Sequence, residues 1–257
     1  MQTKVLLTFS LAILILIGNS CTPTLIIHSP YTPTPTFPSP SLTPVIKTLQ
    51  PLESTATPPL QVGLTPNLTP KYFTEEWQGD HTGWTWFSTH GDDNSWDVYS
   101  EAGVLVFYLT GKEIYSYYVY QSQEYEKVRI TVKVENRSKT ISSTTIVCNY
   151  SETLGWYEFN ISTNGLWEIR AHDTHGDRGY VLLKSGGSKT IHRGEAINEY
   201  SVSCIGNQLT LFANGKKLTE YTDDSMNFAQ GKIGIGILSF EQVPVLQEFA
   251  WIKIEAP

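Results

Sequence analysis

Basic clusters are missing from this chain. It carries 18 Lys and Arg against 25 Asp and Glu, a formal net charge of −7, and no run gathers the positive side chains. That argues against nucleic acid and anionic membrane surfaces as partners, because both are held through cationic patches. Catalytic and cofactor signatures are scarce too: Gly-x-Ser-x-Gly, His-Glu-x-x-His and a phosphate-cradling glycine loop are all absent. Cysteine is rare, at three residues. After residue 71 no segment shows sustained helical periodicity, which excludes a helical or α/β domain.

Proline is uneven rather than scarce. Twelve of the 14 prolines fall in residues 22–70, among many Thr and Ser and only two charges, Lys47 and Glu53. Such a segment favours extended polyproline II and cannot build a packed core, so it is predicted to be a disordered stalk. Residues 1–21 precede it. Lys4 supplies a positive start, Val5 to Ile17 an apolar run, and Gly18-Asn19-Ser20 a small or polar cleavage site, the pattern of a secretory signal. The apolar run, about 13 residues, is short of the roughly 20 that a spanning helix needs. Cys21 stands where a lipoprotein signal places its acylated cysteine. The alternatives are an ordinary signal peptide or an uncleaved anchor with an incidental cysteine. The expected location is therefore outside the cytoplasmic membrane, anchored at the cell surface as a lipoprotein.

Residues 71–257 hold all seven tryptophans and 17 of the 19 glycines. This length is ample for one hydrophobic core. Alternation with period two recurs throughout. In "KVRITVKVEN" Val128, Ile130, Val132 and Val134 share one strand face, and Arg129, Thr131, Lys133 and Glu135 the other. Twelve or more short strands, separated by turns such as Gly206-Asn207 and Asn214-Gly215, predict a two-sheet antiparallel sandwich or a barrel. Outside the cytoplasm Cys148 and Cys204 can pair, closing a loop of roughly 57 residues worth about 4 kcal/mol in the chain-entropy model. Two buried thiols on neighbouring strands are the alternative.

The order of motifs carries a resemblance. The opening "YFTEEWQGDHTGW", the middle "IVCNY" and "GWYEFNISTNGLWEI", the stretch "YSVSCIGNQLTLFANGKKLTEYTDDSMNFAQGKIGIGI" and the closing "FAWIKI" resemble the concanavalin A-like lectin/glucanase superfamily. The similarity is greatest to its bacterial extracellular laminin-G-like branch, related to the 3-keto-disaccharide hydrolase domain. It covers residues 72–255 and is most specific from Cys204 to Ile237. The resemblance implies a jelly roll whose concave face binds glycans in many relatives. It also implies two chemistries to check. Glucanases of this fold carry Glu-x-Asp-x-(x)-Glu on one strand, and nothing here matches; "WEIRAHD" offers Glu168 and Asp173, five apart and so on opposite faces. Relatives also hold a structural calcium, for which Glu75, Asp92 and Asp93 are candidates, although Ala250 stands where relatives show Asp.

Further candidates come from the residues themselves. Trp84 and Trp86 share a strand face; Trp84 is assigned to the core, and Trp86 and Trp96 are candidate sugar platforms. In "YSYYVYQSQEY" Tyr118 and Tyr120 lie on one face and are candidate ligand contacts, with Tyr115 and Tyr117 on the other. "RAHDTHGDRG" clusters His172 and Asp173, read as a polar loop able to contribute contacts at a site's rim. The expected function is a non-catalytic binding module for extracellular carbohydrate. The alternatives are a glycoside hydrolase of the keto-disaccharide type and a structural envelope or protein-interaction domain. The expected partner is a glycan or an envelope component, with the membrane reached only through a lipid anchor. The domain is expected to be monomeric, with no cofactor beyond a possible structural calcium.

Overall fold

The computed structural model describes residues 70–79, 81–176 and 178–257. The leader, Cys21 and the Thr/Pro-rich segment up to residue 69 lie outside the described residues. The strands are, in order, β1 (Phe73–Glu75), β2 (Trp84–His90), β3 (Trp96–Glu101), β4 (Val104–Leu109) and β5 (Tyr115–Tyr125). Then come β6 (Lys127–Asn136), β7 (Ser142–Ser151), β8 (Gly155–Ser162), β9 (Leu166–Asp173) and β10 (Gly179–Gly187). The last five are β11 (Ile197–Ile205), β12 (Gln208–Ala213), β13 (Lys216–Thr222), β14 (Gly231–Ser239) and β15 (Val245–Glu255).

All pairings are antiparallel and build two sheets. One runs β13-β12-β11-β6-β15-β4-β3, with β1 added beside β15; the other runs β10-β9-β8-β7-β14-β5-β2. Alternation explains the packing between them. Val128, Ile130 and Val132 of β6 meet Ile146, Phe159 and Ile235 of the facing sheet, all fully buried. Cys148 on β7 and Cys204 on β11 are joined by a disulfide. The bridge therefore links the two sheets, not neighbouring strands of one sheet.

The seven-stranded sheet is buried on its second face as well, where Tyr117, Val119, Val147, Tyr150 and Trp156 form a separate cluster. That sheet is strongly curled. Thr89 on its one edge strand, β2, hydrogen-bonds Tyr180 on the opposite edge strand, β10, so the outer face is a concave trough closed at one end. Backbone crowding on this sheet requires glycine at two points. A Cβ at Gly236 would stand 2.2 Å from the Ser116 carbonyl oxygen, and one at Gly155, where φ is +122°, 1.9 Å from that of His172.

Two expectations are corrected by this geometry. Tyr118 and Tyr120 point between the sheets, 8% and 4% exposed, with Tyr118 stacked on Trp84, so neither can touch a ligand. The other tyrosine face, Tyr115 and Tyr117, is the one that lines the trough.

Candidate functional site

Strand β8 is covered on both faces, and its two faces differ in chemistry. Tyr157, Phe159 and Ile161 enter the core, while Trp156, Glu158, Asn160 and Ser162 face the trough. Glu158 is fully buried. Its Oε2 accepts from the Tyr117 hydroxyl at 2.9 Å and from Trp156 Nε1 at 3.2 Å, and its Oε1 accepts from Asn160 Nδ2 at 2.7 Å. Asn160 is itself fixed by Thr145, whose hydroxyl donates to its Oδ1 at 2.7 Å. Burial pushes the Glu158 carboxyl up; the bonds from Asn160, Trp156 and Tyr117 and the positive Arg170 only partly offset it.

The next strand supplies the second charged group. Register places Arg170 opposite Glu158 and Glu168 opposite Asn160, so Glu158 and Glu168 are diagonal neighbours on the trough face. Arg170 Nε donates to Glu168 Oε2 at 2.7 Å, and both side chains are part-exposed. Desolvation opposes the Arg170 charge, and the bond and attraction from Glu168 outweigh it, so the guanidinium is held firmly protonated.

These groups meet in a recess of about 40 Å³ bounded by Tyr115, Ser143, Glu158, Asn160, Glu168 and Arg170. The recess shares Ser143, Asn160, Glu168, Arg170 and Phe240 with a cleft of about 480 Å³, whose walls include Ile141, Leu166 and the loop residues Phe240, Glu241 and Gln242. The cleft is thus apolar on its flanks and polar at its floor, the composition of a pocket for a small polar ligand. A buried carboxyl whose pKa is pushed up by burial, beside a second carboxylate, has the character of a proton donor to a bound group.

The residues expected from sequence are placed elsewhere, with one partial exception. Trp86 is 54% exposed and meets Trp96 edge-on at the side of the sandwich, away from the recess. His172 stacks on Trp156 with ring centres 4.0 Å apart, behind the aromatic cluster that closes the trough; burial lowers its pKa. Asp173 accepts from the backbone N–H of His175 and Gly176 and organises that turn, at the edge of a separate hollow of about 740 Å³. Asp92 accepts from Asn94 and Ser95, Asp93 from Ser88, and Glu75 from the Trp77 N–H. Among the described residues no three metal-ligating side chains come together.

Sequence reasoning missed Glu158 and set Glu168 aside. A signal existed: an acid in "GWYEFNIS", a stretch otherwise aromatic and aliphatic, must either pair or serve a site. The trough face of β8 reads Glu158-x-Asn160-x-Ser162, so a search for two acids on one strand finds one there and the other on β9.

No family model matches the chain, and no curated protein does. Solved structures do match. A family 16 glycoside hydrolase endo-glucanase from Bacteroides ovatus is 12% identical with a TM-score of 0.53, over 71% of this chain and 99% of that one. The Bacillus licheniformis β-glucanase is 14% identical with a TM-score of 0.52, over 74% and 100%. The laminarinase catalytic domain of Thermotoga maritima is 11% identical with a TM-score of 0.52, over 73% and 99%. At such identities the likeness establishes the fold, a concanavalin A-like jelly-roll sandwich. These neighbours are glycan-cleaving enzymes, and with them the expectation of a non-catalytic binding module is overturned.

Proposed function

We propose that residues 71–257 form a glycoside hydrolase acting on an extracellular polysaccharide, with Glu158 as proton donor and Glu168 as the second carboxylate. The observation that carries this reading is the fully buried Glu158 at the floor of the recess, with its carboxyl pushed toward the neutral form. Glycosidic bond cleavage needs a protonated acid at the leaving oxygen and a carboxylate near the sugar's anomeric carbon. Glu158, once protonated, turns its O–H to the glycosidic oxygen; Asn160 and Trp156 hold its plane. Glu168, oriented by Arg170, activates water from its diagonal position. Diagonal neighbours on paired strands lie roughly 7 Å or less apart at Cβ, so both carboxyl groups border the one recess. The apolar flank of Ile141, Leu166 and Phe240 suits the faces of sugar rings.

The β-glucanases of the same fold make β-glucans the first substrates to try. Incubating the full chain with mixed-linkage β-glucan and with laminarin should release reducing ends, and Glu168→Gln should abolish most of that release. Absence of cleavage of either polymer, or full activity in Glu168→Gln, contradicts the proposal.

The polymer would be met outside the cell. The leader, Cys21 as an acylation site and the proline-rich stretch of residues 22–70 as a spacer support a surface-anchored enzyme. Labelled palmitate should enter the chain in a bacterial host and be lost in Cys21→Ala; labelling that survives the substitution overturns the anchor.

A further inference from the structure

The Glu158 side chain is fully buried, and while a sugar fills the recess its carboxyl can be recharged only from the side away from the cleft. One continuous line of hydroxyl groups leads from it to the surface. The Tyr117 hydroxyl donates to Glu158 Oε2, the Tyr117 and Tyr180 hydroxyls are 2.9 Å apart, and Tyr180 meets the hydroxyl of the exposed Thr89. Four strands contribute, β8, β5, β10 and β2, and the last link exists only because the sheet's two edges meet. While Glu158 is ionised, direction along the line is fixed by chemistry. A carboxylate can only accept, so Tyr117 donates to it and must accept from Tyr180, which in turn accepts from Thr89.

We infer that Thr89, Tyr180 and Tyr117 form the proton path between Glu158 and solvent, and that Tyr117 and Tyr180 are positioning residues for its carboxyl. The inference rests on the reading of Glu158 as proton donor. When the carboxylate needs a proton, Tyr117 passes its own to Oε2 and takes one from Tyr180. Tyr180 takes one from Thr89, and Thr89 takes one from hydronium or a buffer acid in the solvent. One proton enters and one arrives; the three hydroxyls are unchanged in composition and reversed in orientation. Both phenols are held above their usual pKa by burial and the nearby Glu158, so neither is lost as a phenolate. The other ionisable groups around this carboxyl are Tyr115 on β5 and Glu168 and Arg170 on β9; His172 packs against the Tyr180 ring, and none of the four belongs to the hydroxyl line.

The test uses the full chain with carbon-13 in its glutamate carboxyls, Glu158 being assigned by its absence in Glu158→Gln. Tyr117→Phe removes one hydrogen bond to the carboxylate and should raise the Glu158 midpoint by roughly one pH unit. Tyr180→Phe leaves that bond but severs the path. After a pH jump followed by infrared absorption of the carboxyl, it should lose the fast phase of reprotonation, with a smaller change in midpoint. Chains that refold with native near-ultraviolet dichroism but show an unmoved midpoint in Tyr117→Phe, or an intact fast phase in Tyr180→Phe, overturn the inference. Neither readout requires a substrate. A chain that cuts no glycan yet shows both effects would refute the hydrolase reading and leave the proton path standing.

Discussion

Two buried carboxylates lie against opposite faces of the seven-stranded sheet, Glu158 on its β8 and Asp223 in the loop after β13, and have opposite natures. Asp223 belongs to the inner face: Tyr157, opposite the disulfide-bonded Cys148 on β7, donates to its Oδ2 at 2.7 Å. Ser225 adds its N–H and hydroxyl, and Met226 and Asn227 add backbone N–H groups. Burial raises the Asp223 carboxyl and these donors more than reverse it, so it is held below the usual range. Glu158, on the outer face, receives no backbone donor, and its pKa is raised by burial. Full burial is common to both. Glu158 carries the heavier desolvation and the fewer donors of the two, and both differences push its carboxyl up where that of Asp223 is held down.

The largest effect is expected on the inner face, at the disulfide beside Tyr157. Replacing Cys148 and Cys204 together by Ser should cost about 4 kcal/mol by loop closure. For a domain of this size that lowers the Tm by about 8–16 °C. Activity per folded molecule should be retained, because the bridge lies on the far side of β7 from the recess; calorimetry with a matched assay checks both. Asp223→Asn comes next. It turns an amide against backbone N–H donors and should cost about 3 kcal/mol, again with activity kept in the folded fraction.

A pH series sharpens the contrast. Asp223 has a lowered folded pKa, so its contribution is present above the unfolded aspartate value near 3.8 and is lost as pH falls through the lower folded value. Glu158 has a raised folded pKa, so its contribution is full below the unfolded glutamate value near 4.5 and is lost as pH rises through the higher folded value. Denaturant midpoints should therefore depend less on pH above 4.5 in Glu158→Gln, and less on pH below 3.8 in Asp223→Asn. At pH 8 the Tm of Glu158→Gln should equal or exceed that of the parent chain. The smallest effect belongs to Trp86→Ala: a stability loss on the order of 1 kcal/mol and unchanged glycan cleavage, since that ring closes the sandwich's edge.

The fold was readable from sequence because its signals are local. Alternation in β6 and the turns at Gly206-Asn207 and Asn214-Gly215 specify antiparallel hairpins, and the two cysteines of the domain, Cys148 and Cys204, leave a single possible pair, whose place between the sheets only the topology shows. The site was not readable, because it depends on curl and register. Glu158 and Glu168 are ten positions apart and become neighbours only through the β8–β9 pairing. The tyrosines of β5 divide by parity into core and trough, and sequence shows the division without showing which half is which. Trp86 and Trp96 drew attention as aromatic platforms, yet the aromatic cluster beside the acid is made of Phe87, Tyr117, Tyr150 and Trp156.

The direct measurement is the initial rate of mixed-linkage β-glucan cleavage by the full chain beside Glu158→Gln, at equal folded concentration near neutral pH. The predicted result is cleavage by the parent chain and a loss of roughly 10²- to 10⁴-fold in the variant, with its Tm undiminished. Equal rates in the two chains would contradict it.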